Sequence, residues 1–159
     1  MKTNAARYLD SLDIHYELRE YALDTEDFSA ILVAEKIGLP PEQVFKTLLC
    51  VTSDKEHVFA VVPGNAELDF KKLAAAAGVR KAEMVSLKEI QPLTGYIRGG
   101  VTVFGAKKDF PVYADETLEL FDVISVSAGL RGVQIVLSPA DYISASKAAL
   151  ADITKEHAS

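Results

Sequence analysis

The sequence has few of the residues that form disulfides and metal sites, with one cysteine and three histidines. Cys50 alone cannot form an internal disulfide. None of the histidines (His15, His57 and His157) lies at metal-ligand spacing from another histidine or from the cysteine, and we expect His15 and His57 to be ordinary strand residues. These absences exclude the common disulfide frameworks and zinc sites, so we expect neither a metal nor another cofactor.

Long apolar runs are missing as well. No stretch approaches the roughly 20 apolar residues of a membrane-spanning helix, and the first residues, MKTNAARYLDSLDIHYE, are too polar for a signal peptide. We therefore expect a cytoplasmic protein that does not associate with a membrane.

The familiar catalytic motifs are also absent. The sequence contains no P-loop and no nucleophile elbow, and GYIRGG (residues 95–100) lacks the following helix that a dinucleotide-binding fingerprint requires. Ser127 has no histidine in its sequence context, which argues against a serine hydrolase. Cys50 lies in an apolar run, where a thiol is usually an inert packing residue.

The net charge is −6, from 17 basic and 23 acidic residues. This balance argues against broad coating of nucleic acid, because phosphate binding depends on lysine and arginine. Short basic pairs do not exclude a local basic surface, although ordinary solvated charge is the favoured interpretation of each pair. These pairs are Lys71-Lys72, Arg80-Lys81 and Lys107-Lys108.

The pattern of apolar residues predicts one mixed domain over residues 1–159. Helices are expected after Thr3, in 27–38 with Ile31, Ala34 and Ile37 on one face, in 70–78, in 87–95 and in 138–150. Strands are expected in 14–21, 44–51, 57–63, 110–114, 121–128 and 132–138, with hairpins joining the second to the third and the fifth to the sixth. The tail from residue 151 is expected to fray.

This order of elements indicates an α+β fold with a mixed or antiparallel sheet. Most of the strands are apolar on both faces. A strongly curved, barrel-like sheet flanked by helices would explain that pattern.

A cation in the middle of an apolar strand, Lys46 in QVFKTLLCV, calls for an explanation. Strand alternation places Lys46 on one face with Leu48 and Cys50, and neither face of the strand is polar. A buried ammonium group must lose its proton, find an anion or reach the mouth of a pocket. Three interpretations remain open: a structural ion pair, snorkelling to solvent, and a lysine that meets a substrate anion in a cleft.

Two glycine-rich stretches have features of a binding site. In TGYIRGGVTVFG, Gly99 and Gly100 would allow the backbone to approach a ligand closely. In SVSAGLRG, Ser127 ends a strand near Arg131, although turn chemistry alone explains a serine before a glycine. A plain flexible loop is the alternative for the first stretch.

Taken together, FKTLL (45–49), TGYIRGG (94–100) and SAGLRG (127–132), followed by LSPADY, resemble the YbaK family of aminoacyl-tRNA editing proteins. The likeness runs from NAARYLDSL to the last helix. It is greatest to free-standing Cys-tRNA(Pro) deacylases, whereas Ala-tRNA(Pro) deacylases and the editing domains of prolyl-tRNA synthetases are more distant.

The resemblance implies a deacylase that clears cysteine from Cys-tRNA(Pro), and also from Cys-tRNA(Cys). Cysteine and proline are similar in size, so the synthetase separates them poorly and a second sieve is needed. In this family the substrate thiol is thought to attack its own ester, giving a cyclic thiolactone and free tRNA. The protein then needs positioning and charge stabilisation. The implied partners are the acceptor end of the mischarged tRNA and prolyl-tRNA synthetase.

The resemblance also implies roles for individual residues. Lys46 would anchor the terminal adenosine or phosphate, Gly100 would offer backbone to the carbonyl or ribose, and Ser127 would orient the amine or ribose. These three form the expected catalytic set. The expected substrate-binding set is Tyr21, Phe28, Thr47, Gly99 and Arg131. In this set, Tyr21 and Phe28 would form pocket walls that can stack on adenine, and Thr47 would hold the aminoacyl group.

One stretch departs from the family pattern. Many members have Ser-Pro after the double glycine, whereas this sequence has Thr102-Val103, and proline would fix the backbone there. Two alternatives therefore stay open: editing of another small amino acid, as in Ala-tRNA(Pro), and a non-catalytic module of the same fold that binds tRNA or a nucleotide.

Overall fold

A computed structural model of the chain describes residues 2–155. These residues form five α-helices and eight β-strands. The helices are α1 (Asn4–Ser11), α2 (Ala30–Ile37), α3 (Phe70–Ala77), α4 (Leu87–Thr94) and α5 (Pro139–Ser146). The strands are β1 (Glu17–Glu20), β2 (Phe45–Thr52), β3 (His57–Pro63), β4 (Ala82–Met84), β5 (Val112–Asp115), β6 (Ile124–Ser127), β7 (Val133–Leu137) and β8 (Ala149–Ala151).

The strands form two sheets. One has the order β1-β7-β6 and is antiparallel, and the other has the order β4-β2-β3-β5-β8, in which β5 runs parallel to β3 and to β8. A parallel bridge between Val44 and Ser125 joins the two sheets. The expected α+β fold with a mixed sheet is confirmed, as are both hairpins, β2-β3 and β6-β7. The sheets do not close into a barrel within residues 2–155.

Two apolar clusters explain why the central strands are apolar on both faces. Phe59 and Val61 of β3 belong to the larger cluster, whereas Val58, Ala60 and Val62 of the same strand face the smaller cluster beneath α3. Burying a side chain of the size of Phe59 contributes about 1.5–3 kcal/mol. The two faces of β3 thus hold both layers together.

Helix caps at both ends of α3 and at the start of α5 lie at the positions that the sequence indicates. The carboxylate of Asp69 accepts hydrogen bonds from the backbone N–H groups of Lys71 (2.9 Å) and Lys72 (3.1 Å) at the start of α3. Gly78 ends that helix in the left-handed conformation, with φ +71°. Ser138 caps α5 by accepting a hydrogen bond from Asp141 N–H at 3.1 Å.

The structure corrects three expectations near the ends of elements. In α2, Ile31 is 55% exposed and Val33 takes its place on the buried face with Ala34 and Ile37. The first strand is shorter than expected, so His15 lies in the loop before β1. The last helix ends at Ser146, because Lys147 adopts a positive φ of 57°.

The expected fraying of the tail is wrong for residues 151–155. Residues 149–151 form β8 beside β5, and Ile153 is fully buried with its N–H donating to the Asp115 carboxylate at 3.0 Å. Residues 156–159, including His157, lie outside the described residues. Within residues 2–155, no helix combines the length and the apolar character needed to cross a membrane.

Candidate functional site

A cavity of about 510 Å³ lies between the start of α2, β2, α4 and the glycine-rich loop. Five of the residues expected at the site line it: Phe28, Lys46, Thr47, Gly99 and Ser127. Its volume is within the usual range of small-molecule sites, roughly 300–1,000 Å³. The structure therefore brings together residues that are up to 99 positions apart in the sequence, since the set begins at Phe28 and ends at Ser127.

The first half of β2 forms an open edge beside the cavity. Strand β4 pairs only with Cys50–Thr52, so Phe45–Leu48 is paired to β3 on one side and has no second strand in the described part of the chain. The expected alternation is confirmed, because Phe45 and Leu49 belong to the larger apolar cluster and Cys50 belongs to the smaller one. Both Lys46 and Thr47 reach the cavity along this open edge.

Lys46 is half-buried. Within residues 2–155, no carboxylate forms an ion pair with its ammonium group. Burial lowers the pKa of Lys46, and the charge of Glu67 partly offsets this effect. A structural ion pair therefore does not explain Lys46. The lysine instead presents a partly desolvated cation to the cavity.

Cys50 is the packing residue that the sequence indicates. It is fully buried in the smaller cluster, and burial raises the pKa of its thiol to about 12. Such a thiol stays protonated at neutral pH and is a poor nucleophile.

Phe28 forms one wall of the cavity and lies against two arginines. The guanidinium carbon of Arg131 is 4.0 Å from the centroid of the Phe28 ring, and that of Arg98 is 5.4 Å away. Arg131 also donates hydrogen bonds to the Arg98 carbonyl from Nε (2.8 Å) and Nη2 (2.5 Å). Stacking and hydrogen bonding together fix the orientation of the ring.

Gly99 makes this close packing possible. Its φ is +89°, and a Cβ atom there would lie 2.7 Å from Cδ2 of Phe28 and 2.8 Å from Nε of Arg131. Both the backbone conformation and the space therefore require glycine.

Ser127 and Gln134 supply polar groups from the β6-β7 hairpin, in which they are register partners. The Ser127 hydroxyl accepts a hydrogen bond from Gly129 N–H at 3.1 Å. Within residues 2–155, the hydroxyl proton itself makes no hydrogen bond. The side-chain oxygen of Gln134 accepts a hydrogen bond from the Ser125 hydroxyl at 2.7 Å. The NH2 group of Gln134 donates no hydrogen bond to any of residues 2–155. Both residues line the cavity, so their donors are available to a ligand.

Three of the expected site residues lie behind the cavity wall. The Gly100 N–H donates to the Ile97 carbonyl at 2.9 Å, and the residue packs against the backbone of 129–131. Tyr21 packs against the cluster around Val33, and Arg131 lies over the ring of Phe28. These three shape the wall, and the structure does not place them among the residues that line the cavity.

Sequence reasoning missed Gln134, Glu67, Arg98 and Lys155, all of which line the cavity. A signal existed for Gln134, because it interrupts the apolar strand VQIVL in the way that Lys46 interrupts its own strand. Glu67 and Lys155 carried no such signal, since each lies in a polar stretch and only the fold brings them together. Among residues 2–155, no three metal-ligating side chains converge.

The model of one protein family, described as the aminoacyl-tRNA editing domain, matches residues 27–145. The match includes the cavity residues from Phe28 to Gln134. The chain belongs to the aminoacyl-tRNA editing domain family. The expected resemblance and the expected class, an enzyme that edits aminoacyl-tRNA, are thereby confirmed.

Two relatives of this editing domain are similar over most of its length. A protein of Enterococcus faecalis described as a candidate Cys-tRNA(Pro)/Cys-tRNA(Cys) deacylase, EbsC, is 44% identical and covers 96% of this chain and 93% of its own. The multifunctional Ser/Thr-tRNA deacylase ProXp-y of Escherichia coli is 30% identical over 70% of this chain and 69% of its own.

One solved structure is similar to the whole domain. It is described as a candidate trans-editing enzyme for prolyl-tRNA synthetase and superposes with a TM-score of 0.84 over 98% of this chain and 99% of its own, at 23% sequence identity. At that identity the similarity shows the fold.

Proposed function

We propose that this editing domain is a deacylase that removes mischarged cysteine from Cys-tRNA(Pro), and also from Cys-tRNA(Cys). The observation that carries the proposal is the half-buried cation of Lys46, which lines the cavity together with Thr47 and with the donors of Ser127 and Gln134. Such an arrangement suits an anionic substrate with a small aminoacyl group. The name of the Enterococcus relative supports the choice of cysteine.

The reaction uses the thiol of the substrate as its nucleophile. The cysteinyl sulfur forms a bond to the carbonyl carbon of its own ester, and the bond from that carbon to the ribose oxygen breaks. The thiol proton ends on the ribose hydroxyl, which leaves as free tRNA. The cyclic thiolactone then reacts with water to give free cysteine, so no side chain of the protein becomes acylated.

We assign roles to the cavity residues from the family resemblance, and their positions along the cavity support the assignment. The ammonium group of Lys46 anchors the terminal adenosine or its phosphate and stabilises the negative charge that develops at the ester. Thr47 contacts the aminoacyl group, and Ser127 orients the amine or the ribose. Phe28, held by Gly99 and Arg131, offers a ring on which adenine can stack.

The residues behind the wall act on the site indirectly. Gly100 packs against the β6-β7 turn and positions the loop that carries Gly99. Tyr21 ties the segment before Phe28 to the same turn, because its N–H donates to the Gly132 carbonyl at 2.9 Å. Both are therefore positioning residues in this proposal.

The substitution at Thr102 supports an alternative specificity. Thr102 is 1% exposed, and its hydroxyl accepts a hydrogen bond from Phe104 N–H at 3.4 Å, so a polar turn replaces the usual Ser-Pro. A differently shaped loop would suit hydrolysis of another small aminoacyl ester by water, as in Ala-tRNA(Pro) or in a serine ester of the kind that the Escherichia coli relative acts on. A non-catalytic module that binds the tRNA end is the remaining alternative.

Selection among tRNAs would need a partner. A cavity of about 510 Å³ holds little more than the terminal aminoacyl-adenosine, and a chain of net charge −6 offers little other surface for tRNA. We infer that prolyl-tRNA synthetase supplies the tRNA identity and that the protein acts in the cytoplasm.

The experiment compares Cys-tRNA(Pro) with Ser-tRNA(Pro) and Ala-tRNA(Pro) as substrates. Serine differs from cysteine only by oxygen in place of sulfur, so a thiol-assisted reaction should release cysteine at least 10²-fold faster than serine. Equal rates for cysteine and serine would show that water attacks the ester. Binding of these tRNAs without release of any amino acid would identify the non-catalytic module.

A further inference from the structure

Glu67 and Lys155 form a charged rim on the cavity that the deacylation chemistry above does not use. The Lys155 ammonium lies 3.4 Å from the Glu67 carboxylate, and both side chains line the cavity. They are also largely exposed, at 57% for Lys155 and 77% for Glu67. This ion pair therefore lies where the cavity opens to solvent.

The backbone beneath this ion pair is fixed. Lys155 N–H donates to the Glu67 carbonyl at 2.9 Å, and Asp69 N–H donates to the Ile153 carbonyl at 2.8 Å. Ile153 is fully buried, and its own N–H donates to the Asp115 carboxylate at 3.0 Å. The rim is thus an ordered part of the fold, and only the two side chain ends are free to move.

The charge of the cavity is opposite to that of the chain. Three cations and one anion line it, namely Lys46, Arg98, Lys155 and Glu67, whereas the whole chain carries a net charge of −6. A local positive potential in an acidic protein attracts an anionic ligand to that place. An exposed ion pair contributes little to stability, so an incoming anion can displace Glu67 from Lys155 without unfolding the segment.

We propose that Lys155 is a phosphate subsite at the rim, which binds a backbone phosphodiester of the RNA acceptor end, and that Glu67 is the anion which this phosphate displaces. The ligand enters with its terminal nucleoside first, so the next phosphodiester must pass the exposed rim. The assignment of RNA as the ligand rests on the proposed function. Glu67 lies near Lys46 as well, and its removal therefore strengthens the positive potential of the whole cavity.

The test measures binding of an uncharged tRNA(Pro) acceptor-stem hairpin ending in CCA as a function of salt, together with KM and kcat on Cys-tRNA(Pro). Lys155→Ala should weaken binding and raise KM by about three- to tenfold, which is the usual range for loss of one charge-assisted contact. The slope of log affinity against log salt should fall by about 0.7–0.9. Glu67→Gln should act in the opposite direction and strengthen binding by about two- to threefold at low salt. Neither variant should change kcat by more than about twofold, because neither residue touches the ester.

Lys71→Ala is the matched control, because it removes the same charge as Lys155→Ala. Lys71 is exposed on α3 and does not line the cavity. The inference is overturned if Lys155→Ala matches this control. It is equally overturned if both rim variants weaken binding and lower the melting temperature, since that result would mark a structural ion pair.

The hairpin separates this inference from the proposed function. Normal binding with opposite effects of the two rim variants, but no deacylation by the wild type, would retain the subsite and reject the deacylase. Deacylation by the wild type, with binding and KM unchanged in both rim variants, would retain the deacylase and reject the subsite. Absence of any binding of the hairpin to the wild type would overturn the subsite.

Discussion

The guanidinium carbon of Arg131 lies over the ring of Phe28, 4.0 Å from its centroid. Arg131 also donates two hydrogen bonds to the backbone carbonyl of Arg98. A residue that stands outside the cavity thus fixes the aromatic wall inside it. Only glycine at position 99 leaves room for this arrangement.

Gly99→Ala should therefore reduce deacylation by at least tenfold. The added Cβ atom would lie 2.7 Å from Phe28 and 2.8 Å from Arg131, so one of them must move. The left-handed backbone adds a cost of about 1–2 kcal/mol to the free energy of folding. Steady-state kinetics and thermal unfolding of the same preparation measure the two effects.

Gly78→Ala is the control for backbone strain alone. Gly78 also has a positive φ, +71°, but a Cβ atom there meets nothing within 4 Å. It should lose similar stability and keep its activity. Equal loss of activity in both variants would show that strain, and not the wall at Phe28, explains the effect of Gly99→Ala.

Ser127→Ala should lower kcat by about 10- to 10²-fold, the range expected when one hydrogen bond to a charged group is lost. The same change removes the acceptor of Gly129 N–H and should destabilise the fold by about 1 kcal/mol. Ser138→Ala removes the cap of α5, costs about the same stability and lies away from the cavity. If Ser127→Ala keeps full activity, the role of Ser127 as a substrate contact is wrong.

Lys46→Met should raise the stability of the protein while it removes activity. Burial lowers the pKa of Lys46 below that of an ordinary lysine, so the fold disfavours the charged form. Between the lowered pKa and the ordinary one, the unfolded chain binds more protons than the folded chain. At any pH below the lowered pKa, the folded state bears the whole cost of burying the charge. Methionine removes this cost at neutral pH, and we expect a gain of about 0.5–2 kcal/mol, the usual range for one stabilising substitution. Thermal unfolding at pH 7 measures it, and a fall in melting temperature would indicate that Lys46 stabilises the fold.

The pH dependence of the reaction should report the charge of Lys46. Activity that needs the ammonium declines as the pH rises through its lowered pKa, which lies below that of an ordinary lysine. Glu67 raises this pKa, whereas Lys155 and Arg98 are the other charged groups that line the cavity. Glu67→Gln should therefore move the alkaline limb of kcat/KM to lower pH. An alkaline limb that stays in place would show that another group is responsible.

The sequence was sufficient for the features that neighbouring residues determine. Alternation predicted which face of β2 carries Lys46, and caps such as Asp69 and Ser138 predicted where helices begin. The strand β8 was missed because its alanine-rich sequence favours a helix, whereas its pairing with β5 comes from tertiary contact.

The candidate site was predictable to a similar extent. Lys46 stood out because a cation in an apolar run needs a reason. Gly99 and Ser127 stood out in two glycine-rich stretches, and the family resemblance implied their roles. The positions of Glu67 and Lys155 depend on pairing between segments 88 residues apart, since residue 155 follows residue 67 by that number. No local pattern contains that information.

The most direct test of the account is single-turnover deacylation of Cys-tRNA(Pro) by the wild type and by Lys46→Ala, with circular dichroism to establish that both are folded. The wild type should release cysteine, and Lys46→Ala should react at least about 10²-fold more slowly with its fold retained. Release of cysteine at an unchanged rate by folded Lys46→Ala would contradict the central role of this lysine.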